Sequence, residues 1–266
     1  MTHRPTIYWF YDAPPPSDRE NALNLFARAR KTLEESSPDV IVIVGSDHLD
    51  NFLPTDSPSF CIGISDRAEG PFPVERRLGI PRYGAPVDGE LARFLLDEGL
   101  KSGIDFSRTS NYRLDHAFVV PLSFLSPEGR VPIVPVFANT LVPPIPSIQR
   151  FYALGEFLAD AIERYPSKKR VALVGSFNFS TDVGGSRHGE RSKEFDDKAL
   201  ELTRKGSYED ILSQFSLKEI FKAGNSASDF LHYVVVLGAA RGAKPVLAEC
   251  PVLPRWSACP VAIWQV

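Results

Sequence analysis

The sequence predicts an α/β fold, a single domain over residues 1–266 with a mostly parallel central sheet flanked by helices. Three observations carry this expectation. Apolar runs of strand length alternate with segments of helical period along the whole chain. The run "VIVIVG" at residues 40–45 has no polar face, as expected of a strand buried on both sides of a parallel sheet. The length, 266 residues, is long for one domain but within the range of single α/β domains.

The elements follow in order. "TIYWFYD" (6–12) reads as an opening strand. Residues 18–37 read as a helix, with Leu23, Phe26, Ala27, Ala29 and Leu33 at helical spacing and Ser17 or Asp18 as its cap. Strands are expected at 40–45, 59–65, 131–139 and 170–176. Helices are expected at 88–103, ending in Gly103, and at 149–166, stopped by Pro166. Further helices are expected at 193–206 and 226–242, and "CPVAIWQV" (259–266) reads as a closing strand. There is no internal repeat, low-complexity segment or linker.

Composition excludes several function classes. The net charge of −3 predicts no affinity for nucleic acid or an anionic membrane. No apolar run has the length of a membrane span, and "MTHRPTIYWF" lacks the pattern of a secretory signal. A cytoplasmic protein is expected, with Cys61, Cys250 and Cys259 as reduced thiols.

Polar groups stand where the apolar strands end. Asp12 follows "TIYWFY", His48 follows "VIVIVGSD", and "SFNFSTD" follows "RVALVG". Asp115 and His116 precede another apolar run. In α/β sheets ligands sit beyond the carboxyl ends of the strands, so these residues point to a metal or acid–base site. The remaining candidates read as structural. His3 is expected to be disordered ahead of the first strand, and His188 to lie in a surface loop. His232 is expected on a helix surface or in its packing, and Asp47 to orient the loop beside His48. Trp9, Trp256 and Trp264 are expected as core or interface aromatics.

Five segments carry a family resemblance. They are "PDVIVIVGSDHLDNF", "LDHAFVVPLSFL", "IVPVFANTLVPPIPS", "VGSFNFSTDVGGSRHGERSKEFD" and "AGNSASDFLHYVVVLGAARG". In this order and spacing the chain resembles the class III extradiol dioxygenase superfamily, in particular the catalytic subunits of the protocatechuate 4,5-dioxygenase type. The resemblance implies a ferrous ion, Fe(II), held by two histidines and a glutamate, with open positions for a catechol and O₂. The second histidine is kept as His48, and His116 matches a further active-site histidine. The first, in an "SHxP" turn, aligns with Asp12 in "YDAP"; the glutamate aligns with Asp229; the base histidine aligns with Thr181.

These departures have consequences. A shell of Asp12, His48 and Asp229 leaves a divalent centre formally neutral, a weaker Lewis acid with a shifted preference toward Mn²⁺ or Mg²⁺. Thr181 does not titrate near neutral pH; it and Asn178 offer hydrogen bonds instead. The expected activity is ring opening of a small aromatic, catechol-like substrate with O₂, by at least a homodimer. The alternatives are a metal-dependent hydrolase in the same pocket, or a catalytically silent subunit partnering an active chain.

Overall fold

The computed structural model describes residues 1–8, 16–253 and 257–266. Its chain begins with Thr2 in a parallel bridge to Phe177, followed by one 3-10 turn at Pro5–Ile7. Then come α1 (Pro16–Ser36), β1 (Val40–Gly45), β2 (Phe60–Gly63), β3 (Arg67–Gly70) and β4 (Tyr83–Pro86). Next are α2 (Gly89–Lys101), β5 (Ser107–Thr109), α3 (His116–Leu125), β6 (Ile133–Ala138), α4 (Ile148–Arg164) and β7 (Val171–Gly175). The last third holds α5 (Lys193–Lys205), α6 (Tyr208–Gln214), α7 (Leu217–Ala223), a 3-10 turn at Ala227–Asp229 and α8 (Phe230–Ala240). Short strands β8 (Leu247–Glu249), β9 (Val252–Leu253), β10 (Ser257–Ala258) and β11 (Val261–Ile263) close the chain.

The central sheet has the order β5-β2-β6-β1-β7. β6, β1 and β7 run parallel, β2 is antiparallel to β6, and β5 is parallel to β2. Alternation along β1 builds two apolar layers, because successive side chains leave opposite faces. Val40, Val42 and Val44 join Phe151, Leu154 and Leu158 of α4 and Val234 and Val235 of α8. Ile41 and Ile43 join Ala22 and Phe26 of α1 and Phe118 and Val119 of α3. The fully apolar sequence of β1 is thus what a strand between two helical layers requires.

Two sequence expectations are corrected. The segment 6–12 does not open as a strand: Pro5 leads a 3-10 turn through Ile7, and residues from 9 on lie outside the described residues. The expected closing strand forms as β11. β11 pairs antiparallel with β8, a partner close in sequence, as a separate ribbon. Ser17 and Asp18 lie inside the first turn of α1 rather than capping it.

Helices α4 and α8 meet backbone to backbone. A Cβ on Gly155 would stand 1.8 Å from the Val235 carbonyl oxygen, and one on Gly238 would stand 2.1 Å from that of Tyr152. Nothing flexible lies in the way that could yield. Gly155→Ala is expected to cost about 3 kcal/mol by overpacking, read as a lowered midpoint in urea denaturation. An unchanged midpoint would mean that the helices separate freely.

Candidate metal and catalytic centre

Because β1, β6 and β7 are parallel, their carboxyl ends share one edge, and each delivers polar groups there. β1 is followed by Ser46, Asp47 and His48; β6 by Asn139 and Thr140; β7 by Ser176 and Asn178. The bridge between Thr2 and Phe177 lays His3 beside the β7 extension. The 3-10 turn before α8 brings Asp229, and the amino end of α3 brings Asp115 and His116.

Three imidazoles meet at this edge. The donor atoms of His3, His48 and His116 lie within 4.8 Å of one another. The rings of His48 and His116 are 3.9 Å apart, and His3 stands edge-on to both at 5.6 Å. Each ring is held by its Nδ1. The His48 Nδ1 lies 2.6 Å from Asp115 Oδ2, and the His116 Nδ1 lies 2.5 Å from Glu75 Oε1. The His3 Nδ1 lies 2.9 Å from Ser176 Oγ. A second group fixing one ring nitrogen and leaving the other free is the usual setting of a metal-binding histidine.

The hydrogen-bond network assigns the His3 tautomer. Ser176 donates its hydroxyl proton to the Ala117 carbonyl, so its oxygen accepts from His3 Nδ1–H. The Nε2 of His3 is then an acceptor. It faces the Asp229 carboxylate at 3.1 Å, with the Asn178 amide donating to both at 2.6 and 3.2 Å. Thr140 Oγ1 donates to the other Asp229 oxygen at 3.1 Å. Two acceptors in contact that share one amide donor in a buried site favour a cation between them. His3, His48 and Asp229 offer two imidazoles and one carboxylate, donor types that suit a divalent ion; Asp229 is in reach of His3, while the group whose donors all lie within 4.8 Å of one another is His3, His48 and His116.

The electrostatics agree with this. Burial opposes charge on Asp229, but His3 and His48 outweigh it and hold its carboxyl well below the usual range. Burial lowers His3 to about 4 against the pull of Asp229, so His3 stays neutral. Burial also opposes charge on His48, yet the Asp115 hydrogen bond and charge prevail and raise it to about 9. A metal held by His48 would therefore displace a proton on binding.

The sequence candidates divide accordingly. His48, His116, Asn178 and Asp229 are brought together. Asp12 lies outside the described residues. The Thr181 hydroxyl bonds the adjacent Ser180 carbonyl, and its own carbonyl accepts from Ser226. Among the described residues no hydrogen bond ties it to the histidines. The expectation of a disordered His3 is corrected: it is 1% exposed and central. His188 lies in an exposed loop, where its Nδ1 accepts from the Gly184 amide. His232 is a packing residue whose Nε2 lies 2.9 Å from the Ala138 carbonyl. Asp47 orients the loop by accepting from the Asn51 and Phe52 amides. Trp264 packs near Tyr233 and donates to Tyr208, while Trp9 and Trp256 lie outside the described residues.

Two residues escaped sequence reasoning. Glu75 is buried, and its Oε1 accepts from both the backbone and the ring of His116. No motif marks it in "PFPVERRLG". His3 did carry a signal, since "THRP" fits the "SHxP" turn as well as any segment of the chain.

Comparison with known proteins follows the same line. A family model described as the catalytic LigB subunit of aromatic ring-opening dioxygenase matches residues 1–258. The chain is 33% identical over 181 residues to a 2,3-dihydroxyphenylpropionate/2,3-dihydroxicinnamic acid 1,2-dioxygenase of Klebsiella pneumoniae subsp. pneumoniae, covering 68% of this chain and 54% of that protein. It is 34% identical over 183 residues to the enzyme of the same name from Escherichia coli O139:H28, with the same coverage. The chain thus spans about half the length of the curated relatives it matches. Among solved structures, an uncharacterized protein of Escherichia coli K12 superposes with a TM-score of 0.57 at 17% identity, over 89% of this chain and 92% of that one. This is a likeness of fold. No helix among the described residues is long and apolar enough to cross a membrane.

Proposed function

This chain belongs to the family of the catalytic LigB subunit of aromatic ring-opening dioxygenases, and from that we propose that it opens the ring of a catechol-type substrate with O₂ at the histidine edge. The observation that carries the reading is the meeting of three imidazoles, His3, His48 and His116, with the Nε2 of His3 against the buried Asp229 carboxylate. We assign His3, His48 and Asp229 as the residues that hold a divalent non-haem metal, with Fe(II) as its identity. Replacing Asp12 by His3 in this set restores two imidazoles and one carboxylate, so the centre keeps a net positive charge. Such an ion supplies Lewis acidity toward the two vicinal oxygens of a catechol and electron transfer toward O₂.

The chain's own groups do the rest. Asp115 fixes the ring of His48. Asn178 and Thr140 hold the Asp229 carboxylate in one orientation. His116, anchored at Nδ1 by Glu75, presents Nε2 as the group that takes the catechol proton and returns it later. Glu75 keeps that ring in one tautomer. Glu75→Gln is expected to lower turnover about 10–100-fold while metal content stays unchanged. Full turnover in this variant would remove His116 from the proton chemistry.

The decisive test is oxygen uptake by the metal-loaded protein with a panel of catechols, paired with metal analysis. Uptake matched by a ring-opened product supports the reading. Bound metal without uptake of O₂ by any catechol overturns it.

A further inference from the structure

A second charged feature lies on the flank of the centre. A cavity of about 340 Å³ is lined by Arg67, Arg76, Arg82 and Arg113, with Glu69 and Tyr83. Arg67 pairs with Glu69 at 2.8 Å. Arg76, Arg82 and Arg113 have no carboxylate partner among the described residues, and the Arg113 guanidinium stands 4.8 Å above the Phe72 ring. Three unpaired guanidiniums around one cavity repel one another, and an anion among them relieves that repulsion.

The cavity is tied to the centre through a shared wall. The Leu114 amide donates to the Glu69 carbonyl, and a Cβ on Gly70 would stand 1.9 Å from the Leu114 carbonyl oxygen. The β3–β4 ribbon is therefore pinned onto the segment that carries Arg113, Asp115 and His116. On the other arm, Arg76 directly follows Glu75, the partner of His116. The same two segments thus present carboxylates to the histidines and guanidiniums to the cavity. The histidine side is rich in negative groups: Asp47, Asp50, Glu75, Asp115 and Asp229. An anionic molecule arriving there meets repulsion unless cations stand close by, and at physiological salt a charge acts over about 8 Å.

We propose that the arginine cavity is a binding site for an organic carboxylate. Planar forked guanidiniums match a carboxylate in two-point contact, better than they match a spherical anion. The carboxylate comes either from a side chain on the ring-opened substrate, an assignment that rests on the proposed function, or from a separate small acid.

Two measurements on the full chain test this. The first is calorimetric binding of 3-phenylpropionate and of its neutral amide to the wild type, to Arg76→Gln/Arg82→Gln and to the corresponding double lysine variant. The expected result is binding of the acid and not the amide, weakened about tenfold or more in the glutamine variant and partly restored by lysine. Equal binding of acid and amide, no binding of either, or full affinity in the glutamine variant overturns the proposal. The calorimetry does not depend on turnover, so it stands even if no catechol is oxidised. The second measurement is the ratio of kcat/KM for a catechol bearing a propionate to that for catechol itself. A tenfold fall of that ratio in the glutamine variant identifies the carboxylate as the substrate's own. An unchanged ratio with lost calorimetric binding identifies a separate acid.

Discussion

On the donor set proposed above, His3→Ala is expected to strip the protein of metal and abolish oxygen uptake with catechols, whereas Asp12→Ala is expected to leave both in place. The expectation follows from the tautomer of His3. Its Nδ1 is spent on Ser176, so the lone pair of Nε2 is fixed toward Asp229. Removing the ring takes away one of three donors and leaves the buried Asp229 facing only the Asn178 and Thr140 donors. A change in an outer partner of a metal ligand costs about 10–100-fold in affinity, and loss of the ligand itself is expected to exceed that. Metal analysis of the two purified variants, with the wild type alongside, decides the matter. Metal retained by His3→Ala and lost from Asp12→Ala would return the first ligand position to Asp12 and dismantle the donor set proposed above.

Asp115→Asn has the second largest expected effect, because one buried carboxylate serves two structures. Its Oδ1 accepts from the Ala117 amide at 3.0 Å and caps α3, while its Oδ2 accepts from the backbone and ring of His48. A cap is worth about 1 kcal/mol, and a buried hydrogen bond to a charged group about 2 kcal/mol. A loss of about 2–3 kcal/mol is expected in urea denaturation of the metal-free protein. The pH dependence has a definite sign. The folded-state value of His48 rises from 6.5 to about 9, so its contribution is complete below 6.5 and lost as pH rises through 9. The carboxyl of Asp115 is itself held low: burial opposes its charge, but His48 and His116 outweigh it. The gap between wild type and variant should therefore be widest near pH 6 and narrow toward pH 9. A gap that widens toward pH 9 would mean that the pair is not charged in the folded metal-free protein.

Much of the fold was legible because its elements obey one period at a time. The continuous apolar run of β1 announced a strand between two helical layers, and the helical spacing of 149–166 announced α4. Legibility failed where two signals competed. In "TIYWFYD" aromatic and β-branched residues favour a strand, yet Pro5 begins a 3-10 turn. That reading left His3 as a stray terminal residue, whereas it is buried at the site. Helix α3 was hidden for a similar reason. "HAFVVPLSFL" is short, apolar and broken by Pro121, so its period cannot be told from that of a strand. Glu75 was out of reach altogether, since its partner His116 lies 41 residues away and only the tertiary fold joins them. His48 stood out because it follows a recognisable strand, His116 because an apolar run follows it, and Asp229 through the family resemblance.

The parallel edge has a consequence for biosynthesis. The groups gathered there come from residues 3, 48, 75, 115–116, 178 and 229, so the pair in direct contact, His3 and Asp229, is separated by most of the chain. Contacts of such long range form late, after the loops between them have closed. While the ribosome is still short of residue 229, the nascent chain can offer imidazoles but not the carboxylate that completes the set. With the proposed donor set, metal loading would therefore follow synthesis, and would be open only to a chain that has already found its native topology.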